Sequence, residues 1–301
     1  MVSLLKTTIR AGAGLFAAVC LSAAYGEVAR PGTVNYTEGI VSLNGQPVNL
    51  RAPGGTEVAP GQVLETTDGR AEMLLTPGVY LRIGDNSAVR MVTPSLTDTQ
   101  VELLRGEANL EVDMLAPENH LSVLDSGAAV RVKKVGIYAL TANPAVLRVY
   151  DGKAEAQVGD RTAEVGKGRE LALVAGPKLK TQSFDRSQTD PLYAWSKLRS
   201  QYQAEANASA ARMVVVNGYP GWWMGTGWYW NPWYSSWAFV PGTGYFYNPW
   251  GFGFYSPAFW YYGAPGFHGG FRGPVVRGPM MRGFAPAMRA PMMRGFAGGR
   301  R

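Results

Sequence analysis

The chain has one cysteine, Cys20, and two histidines, His120 and His268, in 301 residues. Cys20 falls inside an apolar N-terminal stretch. The rest therefore has no thiol, which excludes a disulfide framework, thiol catalysis and zinc–thiolate ligation. Two histidines in separate segments leave no material for a histidine-centred metal site or a catalytic triad. His120 follows Pro117-Glu118-Asn119 and reads as a solvated turn residue. Acids are missing too: no Asp or Glu follows Glu205. Gly166-Lys167-Gly168 lacks the upstream glycine and downstream Ser or Thr of a phosphate loop. Glu111 and Asp113 face one side of a strand and read as surface residues, although carboxylates distant in sequence leave a glycosidase open. No cofactor and no metal are expected, and the protein reads as non-enzymatic.

Residues Met1 to Gly26 have the form of a secretory signal. Lys6 and Arg10 charge its front, Ala11 to Ala24 are apolar, and Ala24-Tyr25-Gly26 fits the small-x-small cleavage rule, so the mature chain is expected to start near Glu27. An uncleaved anchor is the alternative, but the apolar run is short for a bilayer. A lipid-modified Cys20 would place Val19 where such signals use a small residue. The expected location is the periplasm, the cell envelope or outside the cell, with no transmembrane span after signal removal.

The net charge of +7 is unevenly placed. Residues 27–212 carry 20 basic and 22 acidic side chains, whereas residues 213–301 carry seven arginines and no acid. A near-neutral body followed by a cationic extension suggests contact with anionic envelope material rather than a charged catalytic cleft.

From Thr33 to Leu173, short apolar runs alternate with period two between turn residues. Ile40 to Leu43 precede Asn44-Gly45, Ala71 to Leu75 precede Pro77-Gly78, Val79 to Ile83 precede Gly84-Asp85, and Val146 to Tyr150 precede Asp151-Gly152. Asn-Gly and Asp-Gly supply the positive φ that tight hairpins need. About a dozen strands are expected, in a mainly β roll, solenoid or sandwich. Two segments, Val101 to Ala108 and Val146 to Ala154, share the order strand, glycine, charged residue, alanine; stacked β units and the ordinary grammar of a β domain both explain it.

Gly39-Ile-Val-x-Leu, Pro60-Gly61-x-x-Leu64-x-Thr66, Ala71-x-x-Leu74-Leu75-x-Pro-Gly78, Leu81-Arg82-x-x-x-x-Ser87, Leu104-x-Gly106-Glu107-Ala108, Gly136-x-Tyr138 and Val149-x-Asp151-Gly152-Lys153-Ala154, closing on Val165-Gly166-x-Gly168, follow in order. This succession resembles the FecR domain family, named for the ferric-citrate regulator. The resemblance covers roughly residues 33–175, under half the chain. It implies a non-enzymatic, envelope-side β domain that binds other macromolecules. In regulator members that domain relays a signal from an outer-membrane transporter. Those members resemble a sigma-factor-binding cytoplasmic domain followed by a membrane span, for which Met1 to Gly26 leaves no room. The expected function is thus a non-catalytic envelope scaffold, with a periplasmic signalling module that binds a transporter or regulator as the alternative.

Asp190-Pro191 is a helix start, Asp as N-cap and Pro at the first helical position. Leu192, Trp195, Leu198, Tyr202 and Ala206 then recur at helical spacing, so an amphipathic helix over residues 188–212 is expected to dock this stripe on the β domain.

Residues 218–262 hold a repeat. Gly225-Thr-Gly-Trp-Tyr-Trp-Asn-Pro-Trp233 returns as Gly242-Thr-Gly-Tyr-Phe-Tyr-Asn-Pro-Trp250, which predicts short hairpins with aromatic rows around Asn-Pro turns. The rings could pack as an aromatic subdomain, stay exposed as stacking platforms for sugars or peptidoglycan, or lie at a membrane interface. Trp222, Trp223, Trp228, Trp230, Trp233, Trp237, Tyr245, Tyr247 and Trp250 are the candidate ligand-binding residues. Expected partners are envelope polysaccharide, an anionic lipid surface or another envelope protein, and not nucleic acid. In residues 263–301, Pro-Met-Met-Arg-Gly-Phe-Ala occurs twice and Gly, Pro and Arg dominate, a composition that predicts disorder. Residues 213–301 are expected to be removable without unfolding the body.

Overall fold

The structure, a computed structural model, describes residues 29–48, 50, 56–176, 178–216 and 225–263. The expected signal, Trp222, Trp223 and the arginine-rich tail after Gly263 lie outside the described residues.

The fold is mainly β, as the alternating runs imply. Its strands are β1 (Val34–Leu43), β2 (Gln46–Pro47), β3 (Val63–Leu74), β4 (Val79–Ile83), β5 (Ala88–Pro94), β6 (Asp98–Arg105), β7 (Glu107–Val112), β8 (His120–Asp125), β9 (Ala128–Val132), β10 (Gly136–Ala142), β11 (Ala145–Asp151), β12 (Lys153–Val158), β13 (Arg161–Gly166), β14 (Arg169–Ala172) and β15 (Gln182–Ser183). These form one fifteen-stranded sheet, which is not closed. The path runs β13-β12-β9-β8-β6-β5-β3-β4-β7-β10-β11-β14-β15, with β1 on β3 and β2 on β1. All pairs are antiparallel except β6 with β8.

The sheet folds back on itself around one core. Strand β3 is the hinge: Val63, Leu64 and Glu65 pair with β5, whereas Ala71 to Leu74 pair with β4. Strand β10 lies near β6 and β8 without pairing to either, and Leu64, Met73, Leu81, Val101, Leu121 and Leu147 meet in the shared interior.

Two glycines explain how the chain changes halves of the sheet. Gly106 joins β6, which pairs with β5 and β8, to β7, which pairs with β4 and β10. Gly152 likewise joins β11 to β12. Both have positive φ, 78° and 93°. A Cβ on Gly106 would lie 2.2 Å from Ser87 Oγ, and one on Gly152 would lie 2.3 Å from the Tyr138 hydroxyl. These are the glycines of the two similar segments, so the shared order of residues marks two equivalent corners and not two hairpin turns. Asn44-Gly45, with φ of 48° and 76°, does close the β1–β2 hairpin.

After the sheet comes helix α1 (Pro191–Val216), then two hairpins, β16 (Gly227–Asn231) with β17 (Ser236–Val240) and β18 (Tyr245–Tyr247) with β19 (Gly253–Tyr255), and the short helix α2 (Pro257–Gly263). Asp190 caps α1, its Oδ1 accepting from the Tyr193 amide at 2.6 Å. Among the described residues no helix is long and apolar enough to cross a membrane.

Candidate functional site

Strands β4 and β7 and the Ala71 to Leu74 end of β3 are covered on both faces. One face carries the apolar core; the other carries Glu72, Arg82, Asn109, Glu111 and Asp113, all buried. The period-two pattern gives these residues the look of a solvated face. Helix α1 and the aromatic hairpins cover them instead, so the surface placement expected of Glu111 and Asp113 is corrected.

Arg82 is fully enclosed and sits between two carboxylates. Its Nε donates to Glu72 Oε2 at 2.8 Å and its Nη1 donates to Glu111 Oε2. From α1, Arg199 Nη2 donates to Glu72 Oε1 at 2.9 Å, and its guanidinium lies 3.9 Å from the Tyr36 ring centre. Asn35 and Gln203 also donate to Glu72 Oε1, at 2.9 and 3.2 Å. Ser200 and Asn248 donate to Glu111 Oε1 at 2.6 and 2.9 Å. Burial pushes the Glu72 carboxyl up, but Arg199 and Arg82 outweigh it and hold it at about 2. Two guanidiniums thus match two carboxylates. Asp113 is surplus: no guanidinium pairs with it, and burial followed by the Glu111 charge pushes it well above the usual carboxylate range, against a weaker opposing pull from Arg82 and Asn248.

This seam explains the helix. Leu192, Trp195 and Ala206 of the expected stripe are buried, but Leu198 and Tyr202 are 48% and 46% exposed. Ser196, Arg199, Ser200, Gln203 and Asn207 take the inward face, because the sheet beneath them is charged and needs donors rather than methyl groups. Trp195 also donates from Nε1 to Glu38 at 2.9 Å.

The repeated Asn-Pro turns anchor the hairpins by one device used twice. Asn231 Oδ1 accepts from the Trp233 amide at 3.0 Å while its Nδ2 donates to the Ala206 carbonyl at 2.9 Å. Asn248 Oδ1 accepts from the Trp250 and Phe252 amides at 3.2 and 2.9 Å while its Nδ2 reaches Ser200 and Glu111. Each side chain shapes its turn with the oxygen and grips the layer below with the nitrogen.

Equivalent rings in the two copies have different fates. In the first copy Trp228 is buried edge-on against Tyr80, 5.1 Å between centres, Trp230 is half-buried beside Trp237, and Trp233 is 79% exposed at the turn. In the second, Trp250 packs on Tyr193 at 4.7 Å, whereas Tyr245 and Tyr247, at the positions of Trp228 and Trp230, are 51% and 65% exposed. Trp237 is buried, and the amide of Asn35 clamps its backbone, accepting from the Trp237 amide at 2.8 Å. Of the candidate binding residues, Trp228 and Trp237 are therefore packing residues, Trp230 and Trp250 are half-buried, and Trp233, Tyr245 and Tyr247 face solvent. Tyr255, Phe259 and Trp260 join Tyr245 in a ring cluster that the repeat did not reveal. The period-two pairing of Tyr255 with Tyr245 across the hairpin was the available signal for it.

Among the described residues no group of three or more His, Cys, Asp or Glu is placed to hold a metal ion. An open groove at the start of the parallel β6–β8 pair is lined by Asp98, Gln100, Glu118, His120, Ser122 and Arg131. It holds none of the candidate residues.

No family model matches the chain, and no curated protein matches it. Among solved structures it is similar to two crystal structures described as a "putative anti-sigma factor" from Parabacteroides distasonis, each with 17% identity and a TM-score of 0.38. The match covers 45% of this chain and 64% of that one, so it spans somewhat less than two thirds of the solved protein.

Proposed function

We propose that the protein is a non-catalytic binding module of the cell envelope, a FecR-like β body fused to an aromatic cap that contacts surface polymer or another envelope protein. The supporting observation is the division of the rings: Trp228, Trp237, Phe239 and Phe254 fill the interior while Trp233, Tyr245 and Tyr247 stand in solvent. Exposed large rings on the two hairpins, Trp233 on the first and Tyr245 and Tyr247 on the second, mark contact surfaces. The acids fit this reading, because Glu72 and Glu111 are neutralised by arginines under the cap and are not poised in an open cleft. The test is retention of the full chain on isolated envelopes. Replacing Trp233, Tyr245 and Tyr247 with Ala should release it with the melting temperature unchanged; full retention of that variant would overturn the proposal.

A second reading, a signalling module whose β body engages a transporter or regulator, draws on the sheet edge. Among the described residues the sheet ends at β13, whose outer edge carries no further strand. An unpaired edge accepts a strand from a partner protein. Capture of a transporter by the triple aromatic variant would favour this reading.

A further inference from the structure

Resting on the binding reading above, we propose that the outward face of the β18–β19 hairpin, formed by Tyr245, Tyr247 and Tyr255, is a stacking site for a neutral polysaccharide chain. The hairpin has two unlike faces. Phe246 and Phe254, directly opposite across the strands, stack at 5.4 Å and 11° with Phe254 in the interior. The hairpin's other face carries only tyrosines, two of which Phe259 of α2 supports, at 5.1 Å from Tyr245 and 5.0 Å from Tyr255. Tyr245 and Tyr255 are cross-strand partners with rings 6.3 Å apart and 22° from parallel, and Tyr247 follows two residues along at 6.2 Å from Tyr245.

The partner of Tyr247 across the hairpin is Gly253, which has no side chain of its own to cover that ring. Its ring is left 65% exposed. The phenol of Tyr255 bends back over Gly253, where a Cβ would lie 2.5 Å from its oxygen. Burial, then the neighbouring phenols of Tyr247 and Tyr245, raises the Tyr255 hydroxyl above its ordinary value. The result is an exposed corner: the Tyr247 ring stands at 88° to that of Tyr245, so a sugar ring lying on one would meet the edge of the other.

Charge decides among occupants. The described cap after α1, residues 225–263, contains no Asp, Glu, Lys or Arg. The cation beside the ring cluster, Arg212, has its guanidinium on the Trp260 ring at 4.1 Å. An anionic headgroup would need basic side chains on the face. Tyrosines also anchor protein interfaces, so a protein occupant is an outcome the test separates. A sugar ring offers apolar C–H faces to the tyrosine rings and hydroxyls to the phenols, with no charge on either side.

The test is retardation of the native full chain in gels containing a soluble neutral glucan, alongside gels with anionic alginate and binding to phosphatidylglycerol vesicles. Retardation by the glucan, weakened roughly tenfold by Tyr247→Ala and by Tyr245→Ala, is expected, since about 1.4 kcal/mol per ring corresponds to that factor. Tyr247→Phe should keep most of the binding, and melting temperatures check that the variants are folded. Glucan binding untouched by the alanine variants would overturn the site. Binding to alginate, vesicles or an envelope protein without glucan binding would overturn the ligand class and leave the envelope-contact reading intact. Absence of both glucan and envelope binding in the native chain would overturn both.

Discussion

Arg199 on helix α1 donates to Glu72 on strand β3 at 2.9 Å, joining residues 127 positions apart inside a space closed to solvent. Removing one member of a buried ion pair leaves the other uncompensated, at a cost of about 3–5 kcal/mol. Arg199→Ala is expected to destabilise by about that amount in urea unfolding. Glu72→Gln should be similarly costly, and the double variant should cost clearly less than the sum, because both changes break one network.

The same network sets the acid limit. Glu72 titrates at about 2 in the folded chain against 4.5 as the ordinary value, so its contribution is present above pH 4.5 and is lost as pH falls towards 2. By linkage the loss is about 3 kcal/mol. Unfolding free energies measured between pH 6 and pH 2.5 should show the decline, and Glu72→Gln should flatten it.

Asp113 has the opposite sign. A carboxyl whose folded pKa lies above its unfolded value of 3.8 contributes most below that value and loses stability as pH rises through the folded pKa. Asp113→Asn should therefore match the parent near pH 4 and exceed it at pH 7–8, by about 1–3 kcal/mol, because the folded parent must keep a proton that its unfolded chain releases. Equal stability of the two chains across that range would contradict the assignment.

The repeated asparagines separate by context. Asn248→Asp sets an acid against Glu111 and should unfold the cap, whereas Asn231→Asp faces only the Ala206 carbonyl and the turn amides. Alanine at either position should cost about 1–3 kcal/mol by leaving buried groups unpaired. Thermal unfolding of the four variants, with Asn248→Asp the least stable, checks the ranking. A chain cut at residue 213 would lose Asn248 from Glu111 and Trp228 from Tyr80, and is expected to melt below the full chain.

Tryptophan replacements test the two copies of the repeat. Trp233→Ala should change stability by less than about 0.5 kcal/mol, as exposed positions do. Trp228→Ala and Trp195→Ala, both interior, should each cost about 3–5 kcal/mol. Quenching by iodide should fall measurably only in the Trp233 variant.

Alternating strands with Asn-Gly turns, the Asp190-Pro191 helix start and the twin Asn-Pro turns were all legible, because each is written in residues adjacent along the chain. The helix face was not. Leu198 and Tyr202 look inward by hydrophobicity, yet Arg199, Ser200 and Gln203 are inward, since their partners are sheet residues far away in sequence. Glu111 and Asp113 read as surface residues for the same reason.

By itself the sequence determined the β body, the capped helix, the pair of hairpins and the scarcity of thiol and imidazole, through local propensity, turn stereochemistry and composition. Only the tertiary structure decided that the polar side of the sheet is the buried seam and that equal copies of a repeat present unequal rings. Burial of charge depends on which opposite charge arrives across the fold, and exposure of a ring depends on which layer its hairpin meets; neither is encoded in spacing along the chain.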